Sequence, residues 1–225
     1  MSRIVHPRLS PKRGAARSTS WWGKAWVRAV EEASYSEADL RTARTLSRSG
    51  RVGGITTDDG EFLAAVADGD DMWTVAGTVE VFDAATAEAF VETVAAESGR
   101  IAALLGGDLP YSLVEHAEEA GAELLPYGGE LATSCSCEPW ADPCPHALAV
   151  LYQLAWVLDA DPLVLLQLRG LSRDDLLARL HAAAPAAPGR DLDDEDLELA
   201  LDAAARAARA LELLDDPDQA IDHLF

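Results

Sequence analysis

The chain has 225 residues, 49% of them hydrophobic, and a formal net charge of −21. That size suits one moderately large domain with appendages, and the apolar share is ample for a core. No segment reaches the about 20 apolar residues that a membrane helix needs. No apolar run follows Met-Ser-Arg-Ile-Val-His-Pro-Arg at the N-terminus, and all three cysteines are clustered. The expectation is a cytoplasmic protein without a secretory signal.

Charge is unevenly spread along the chain. Residues 1–51 hold eleven Lys or Arg and four acids, a local net of +7, which leaves −28 for the remainder. Residues 1–18, rich in Arg, Ser and Pro, read as a flexible basic N-terminal arm. From Ser20 the pattern turns helical, with Trp22, Trp26 and Val30 at i, i+4 and i+8. These tryptophans suit a core or a docking contact better than a base-stacking platform. Ser36 then caps a helix running to about Ser47, with Asp39 completing a capping box and Leu40 and Leu46 inward. Arg41, Arg44 and Arg48 form a basic stripe on that helix, the best phosphate-binding candidate in the folded part.

Between Arg51 and Phe82 the period changes. Val52–Thr57, Glu61–Ala67 and Met72–Val81 read as strands separated by Asp58-Asp-Gly60 and Asp68-Gly-Asp-Asp71, which predicts a small antiparallel meander. The turn aspartates match no calcium-loop spacing. Helices are expected from Asp83 or Ala84 to about Glu97, ended by Gly99, then over Ile101–Leu105 and from Pro110 to about Glu119. His116 reads as an ordinary exposed histidine. Leu124-Leu125 begins an extended approach to the cysteines, broken at Gly128-Gly129.

Cys135-Ser-Cys137-Glu-Pro-Trp-Ala-Asp-Pro-Cys144-Pro-His146 has the spacing C-x-C-x6-C-x-H. Alternation along an extended segment turns Cys135 and Cys137 to one side, and six residues with two prolines suffice to bring Cys144 and His146 back opposite them. Three thiolates and an imidazole are the ligand set of tetrahedral structural zinc. An iron–sulfur centre, a disulfide, a Cys144–His146 catalytic dyad and plain core-filling cysteines fit the spacing and the polar surroundings less well. Pro145 suits the first position of a helix, placing Cys144 at its N-cap, where a thiolate is favoured. The following Ala147–Leu158 carries no charged side chain, so it reads as the buried core helix.

The C-x-C…C-x-H signature followed by an apolar helix resembles the SWIM-type zinc finger. Trp21-Trp-Gly-Lys-Ala-Trp26 and Asp159-Ala-Asp-Pro-Leu163 look like the flanks of stand-alone bacterial SWIM-domain proteins, and the wider likeness covers roughly residues 20–180. The resemblance implies one structural Zn2+ held by Cys135, Cys137, Cys144 and His146. It also implies DNA association or protein–protein contacts, in a family found beside helicase-like ATPases, in transposases and in recombination-mediator partners. Pro145 departs from the basic residue often found between the last two ligands.

From Ile101 to Leu168 there is no Lys or Arg, while ten acids, Glu138 and Asp142 among them, lie in that interval. Nucleic-acid affinity comes largely from cations set at phosphates, so this finger is not expected to touch DNA. Beyond it, Leu163–Arg169 forms a short helix closed by Gly170, and Ser172 with Asp175 caps another over Arg173–Ala183. Residues 184–190 read as a linker, followed by the acidic Asp191–Asp196. A helix over about Asp193–Leu214 places Leu197, Leu201, Ala204, Ala208 and Leu211 on one stripe.

The expected fold is α+β and mainly helical, with a small antiparallel β-meander and a Cys3His zinc site leading into a buried core helix. The expected organisation is an arm over 1–18, a SWIM-containing globular domain over 19–183 with its finger at about 124–158, and an acidic linker plus amphipathic helix over 184–225. No phosphate-binding glycine loop, paired carboxylates or Ser-His-Asp set occurs, so no enzyme is expected. The leading functional reading is a protein–protein interaction adaptor that presents Trp140 and the metal loop, with a helicase-like ATPase as the partner the resemblance implies. The alternative is direct nucleic-acid binding through the basic N-terminal half, with the finger purely structural.

Overall fold

The computed structural model describes residues 3–14, 17–183 and 201–206. Contacts divide the chain into residues 1–183 and 184–225. In the second unit, residues 201–206 are helical and Arg206 pairs with Asp202 at 2.9 Å. Leu201 and Ala204 of the expected apolar stripe are exposed there; Leu197, Ala208 and Leu211 lie outside the described residues.

The first unit is α+β and mainly helical. Its sheet has five antiparallel strands in sequential order: β1 (Ile4–His6), β2 (Val52–Asp58), β3 (Glu61–Asp68), β4 (Asp71–Val79) and β5 (Leu131–Cys135). Alternate residues of β2 to β4, among them Ile55, Phe62, Ala64, Val66, Val75 and Val79, are buried. The sheet therefore turns one face to the core and one outward, as antiparallel sheets do. The predicted meander is β2 to β4, and two outer strands extend it.

Within residues 1–18, expected as a flexible basic arm, the described segment from Ile4 to Lys12 lies against the body of the first unit. Ile4–His6 pairs with Ile55–Thr57 along the edge of β2, and the His6 ring is 2.9 Å from the Thr57 hydroxyl. Further on, Arg8 Nε donates to the Gly50 carbonyl at 2.8 Å and Lys12 N–H to the Arg48 carbonyl at 2.9 Å. The physical reason is the unsatisfied backbone of a sheet edge: an extended segment can cover it with main-chain hydrogen bonds whatever its side chains.

The helices are α1 (Trp21–Ala33), α2 (Glu37–Arg48), α3 (Ala84–Ala95), α4 (Ser98–Leu105), α5 (Tyr111–Glu119), α6 (Pro145–Ala160), α7 (Leu163–Leu168) and α8 (Arg173–Ala183). Ser20, Ser36 and Asp83 cap α1, α2 and α3 with side-chain hydrogen bonds. Gly99, expected to end a helix, instead lies within α4, so the break falls two residues earlier, at Glu97. Helix α6 is the hub: every residue from Ala147 to Leu158 is buried, and α1, α2, α7 and the sheet all pack on it. No helix among the described residues is long and apolar enough to cross a membrane.

The three tryptophans of α1 fasten it in place. Trp26 and Trp22 are buried, and their indole N–H groups donate to the carbonyls of Leu151 (3.0 Å) and Leu158 (2.8 Å), while Trp21 donates to Leu109 (2.9 Å). Each indole thus satisfies its one donor, with Trp22 and Trp26 buried and Trp21 half-buried. At the end of α6, Asp159 accepts from the Ser18 hydroxyl (2.6 Å), the Ser20 hydroxyl (2.5 Å), and the N–H groups of Thr19 (2.9 Å) and Ser20 (3.1 Å). The two sequence flanks of the motif therefore meet in one clasp. Partial burial pushes the Asp159 carboxyl upward, but the hydrogen bonds from Ser18, Ser20 and Thr19 outweigh it and hold the group below its ordinary value.

Gly23 sits against this clasp, and a Cβ there would fall 2.1 Å from Ser18 Oγ and 2.2 Å from Asp159 Oδ1. Alanine normally gains about 1 kcal/mol over glycine inside a helix. Here it displaces hydrogen bonds to a charged carboxylate, each worth about 1.5–3 kcal/mol. We expect Gly23→Ala to destabilise the protein by about 2 kcal/mol in denaturant melts, the sign set by the larger effect. The depressed Asp159 value adds a pH signature. Stability from the clasp is present above the ordinary aspartate value of about 3.9 and is lost as pH falls through the folded value. That acid limb should shrink in the variant.

Candidate metal centre

The four residues of the C-x-C-x6-C-x-H pattern converge from two elements. Cys135 is the last residue of β5, paired with Val75 of β4. A turn follows in which Glu138 N–H donates to the Cys135 carbonyl at 3.2 Å and Glu138 takes a positive φ of 48°. Ser136 exchanges two bonds with Thr74, its N–H donating at 3.0 Å and its hydroxyl accepting at 2.9 Å. Those bonds prolong the strand and direct Cys137 back beside Cys135. Across the loop, the Thr133 hydroxyl donates to Asp142 at 2.7 Å. Cys144 is the N-cap of α6, Pro145 opens the helix, and His146 lies in its first turn.

The donor atoms Cys135 Sγ, Cys137 Sγ, Cys144 Sγ and a His146 ring nitrogen lie within 4.8 Å of one another. Cys137 Sγ is 3.6 Å from Cys144 Sγ, and His146 Nδ1 is 3.8 Å from Cys135 Sγ and 4.0 Å from Cys144 Sγ. A tetrahedral ion with bonds of about 2.0–2.3 Å sets its ligands about 3.5–3.8 Å apart, so the cluster matches a four-coordinate metal. The sulfur separation is far beyond the about 2.05 Å of a disulfide, and all three cysteines are free.

Electrostatics also favour a cation here. Burial, with the other two sulfurs adding to it, pushes the Cys137 thiol up to about 12. Burial likewise raises Cys144, although the Ala147 N–H donates to its sulfur at 3.4 Å and pulls the other way. Cys137 and Cys144 are thus held toward the neutral thiol, and a bound cation would supply the positive charge that favours their thiolates.

Two supporting residues carry no local signal in the sequence. Asp68, at the end of β3, lies with Oδ2 3.3 Å from His146 Nε2, and Arg51 donates to its other oxygen at 3.0 Å. A carboxylate at Nε2 fixes the tautomer that leaves Nδ1 free to bind a metal. Trp73 stacks on the His146 ring with centroids 5.7 Å apart and planes 25° apart. Asp68 reads in the sequence as a turn residue, and only the β3–β4 register brings it and Trp73 to the site.

The other candidates fare differently. Trp140 stands 95% exposed at the tip of the metal loop. Arg41 is exposed, but Arg44 is not the free cation expected of a phosphate stripe. It pairs with Glu31 at 2.7 Å and Glu37 at 3.3 Å, and it donates to the Tyr152 hydroxyl at 3.0 Å. Arg48 donates to the carbonyls of Arg44 (2.8 Å) and Gly14 (3.0 Å). The acids of α1 and α2 lie within reach of Arg44, which periodicity along α2 alone cannot reveal. His116, exposed as expected, lies 2.7 Å from an Arg100 nitrogen.

No protein-family model and no solved structure matches the chain. It is similar to an uncharacterized protein of Mycobacterium tuberculosis (strain ATCC 25618 / H37Rv), Rv2102, with 32% identity over 184 residues. The match takes in 80% of this chain and 65% of that relative's length.

Proposed function

We propose that this chain is a SWIM-type module that binds one structural zinc ion and serves as a protein–protein interaction adaptor without catalytic activity of its own. Zinc is favoured over other metals because three thiolates and one imidazole in a closed set suit a borderline-soft, tetrahedral ion. With two positive charges against three thiolates the centre keeps a net negative charge, and Glu138 and Asp142 in the loop add to it. The observation that carries the adaptor reading is Trp140, a large aromatic side chain 95% exposed within that acidic loop. Aromatic anchors of this kind dominate binding energy at protein interfaces, and the acidic surround selects a partner with a basic rim. The helicase-like ATPase remains the partner that the family resemblance suggests.

The alternative is direct nucleic-acid binding through the basic N-terminal half with the finger purely structural; within that half, the ion pairs that occupy Arg44 weaken the Arg41, Arg44, Arg48 stripe as a phosphate site.

The test is affinity co-purification from the native host, with the tagged wild type beside Trp140→Ala. Trp140 is no ligand, so the variant should hold the same zinc. A hot-spot loss of about 2 kcal/mol, roughly 30-fold in Kd, is expected for the recovered partner. If the zinc-loaded wild type retains no partner, or the variant retains it equally well, the reading is wrong.

A further inference from the structure

Helices α1 and α2 both pack on α6, and between them lies a cleft of about 540 Å³. One face of each helix lines it: Lys24, Val27 and Glu31 of α1; Arg44, Ser47 and Arg48 of α2; Tyr152 and Trp156 of α6. The spacings of three to four residues put each set on a single helical stripe. Arg17, from the segment before α1, completes the wall. Lys12 adds a charge beside it, its Nζ lying 4.1 Å from the centre of the Trp156 ring.

The acid in this wall is already engaged. Glu31 accepts from Arg44 at 2.7 Å and from the Tyr152 hydroxyl at 3.2 Å. Burial, together with Glu31, pushes that phenol up to about 12, so it remains a neutral donor. Among the described residues, Lys12, Arg17, Lys24 and Arg48 form no ion pair. A chain of net charge −21 thus gathers four cations without acidic partners around one concave site. Its walls also offer apolar and aromatic surface from Val27, Tyr152 and Trp156. Like charges are brought together at a cost, and a concave wall focuses their field on an incoming anion. The volume lies within the about 300–1,000 Å³ of small-ligand sites.

We propose that the cleft between α1, α2 and α6 binds a nucleotide, taking its phosphate on Lys24, Arg48 and Arg17 and its base against the apolar wall. The nucleotide is either free or one unit of a single strand; the recognising chemistry is the same. This site does not depend on the metal-loop reading, and neither its cations nor its aromatic residues belong to the Cys3His cluster.

Titration calorimetry on the zinc-loaded full chain at low salt tests it with three probes: inorganic phosphate, adenosine 5′-monophosphate, and a short single-stranded oligonucleotide. Either nucleotide probe should bind, and phosphate alone more weakly. A preference for the monophosphate identifies a free nucleotide as ligand, and a preference for the oligonucleotide identifies a strand. Lys24→Ala/Arg48→Ala should weaken binding at least ten-fold with the thermal transition kept. Arg28→Ala, which removes a cation from the outer face of α1, should leave binding unchanged. One neutralised phosphate predicts a salt slope of about 0.7 for a single strand, lowered further in the double variant. The proposal is overturned if neither nucleotide probe binds, if inorganic phosphate binds as tightly as they do, or if Arg28→Ala weakens binding as much as the cleft variant.

Discussion

Stripping the metal from this protein, by a strong chelator or through Cys144→Ser, should lower its stability by about 5 kcal/mol or more. Structural zinc contributes about 10–16 kcal/mol to zinc-finger peptides that have almost no core. Here the buried run Ala147–Leu158 keeps its packing without the ion, so only part of that free energy is at stake. What the ion secures is local. Cys144 is 2% exposed and caps α6, while Cys135 ends an edge strand, and a bound ion would join these across an eight-residue loop. Without it the three sulfurs, two of them held toward the neutral thiol by burial, lose the common partner that would tie them together. At about 2–4 °C per kcal/mol for a chain of this size, the melting temperature should fall by about 10–20 °C. Hydrogen exchange should quicken first in residues 136–148. Asp68→Asn gives a graded version, with metal affinity lowered about 10- to 100-fold and the fold intact when metal is in excess. Metal analysis should return one zinc per chain and no iron. Unchanged melting after complete demetallation would contradict the structural role.

The helical part of this architecture is legible because its signals are local. Trp22, Trp26 and Val30 recur on one face of α1, Ser20 and Ser36 stand at caps, and Pro145 marks the first turn of α6. The ligand set is legible for the same reason: spacing within twelve residues decides which side chains can meet. What periodicity misses is pairing at long range. Strand β1 is three residues among arginines and prolines, and it exists because β2 offers it an edge. Asp68 reaches His146 across 78 positions, and Asp159 reaches Ser20 across 139. Asp68 reads as a turn residue and Asp159 as part of a family flank, and the contact each makes follows only from the register of β3 and the end of α6. The basic stripe fails in the opposite direction. Arg41, Arg44 and Arg48 share a face of α2, but Glu31 of α1 reaches Arg44 across the cleft, so the middle cation is neutralised while Arg48 lines the cleft beside Lys24 and Arg17.

Arg169 is the strongest case of such a hidden residue, and Arg169→Met should cost about 3–5 kcal/mol. In the sequence it merely ends a short helix. In the fold its side chain is 3% exposed and pairs with Glu130, itself 11% exposed, at 3.2 Å. It also donates to the carbonyls of Leu124 (3.0 Å) and Glu80 (2.9 Å), and its own carbonyl accepts from Phe82 N–H at 2.8 Å. One guanidinium thus joins the exit of β4 to the segment that enters β5 and the metal loop. Removing it strands a buried carboxylate and two carbonyls, and the loss of one partner from a buried pair is costly for that reason. Lysine should not rescue it, since a single ammonium cannot span a carboxylate and two carbonyls as the planar fork does. Arg169→Met combined with Glu130→Leu should recover part of the loss, because the stranded charge goes with its partner. A double-mutant cycle in urea therefore separates the two contributions: a coupling energy above about 1 kcal/mol is expected from groups in direct contact. A single Arg169→Met variant within about 1 kcal/mol of the wild type would mean that water reaches Glu130 and the clasp is not buried in solution. If instead the variant melts early yet binds zinc with unchanged affinity at low temperature, Arg169 holds the sheet's exit without shaping the metal loop. We expect the other result, a measurable loss of zinc affinity, because Glu130 adjoins the strand that carries Cys135.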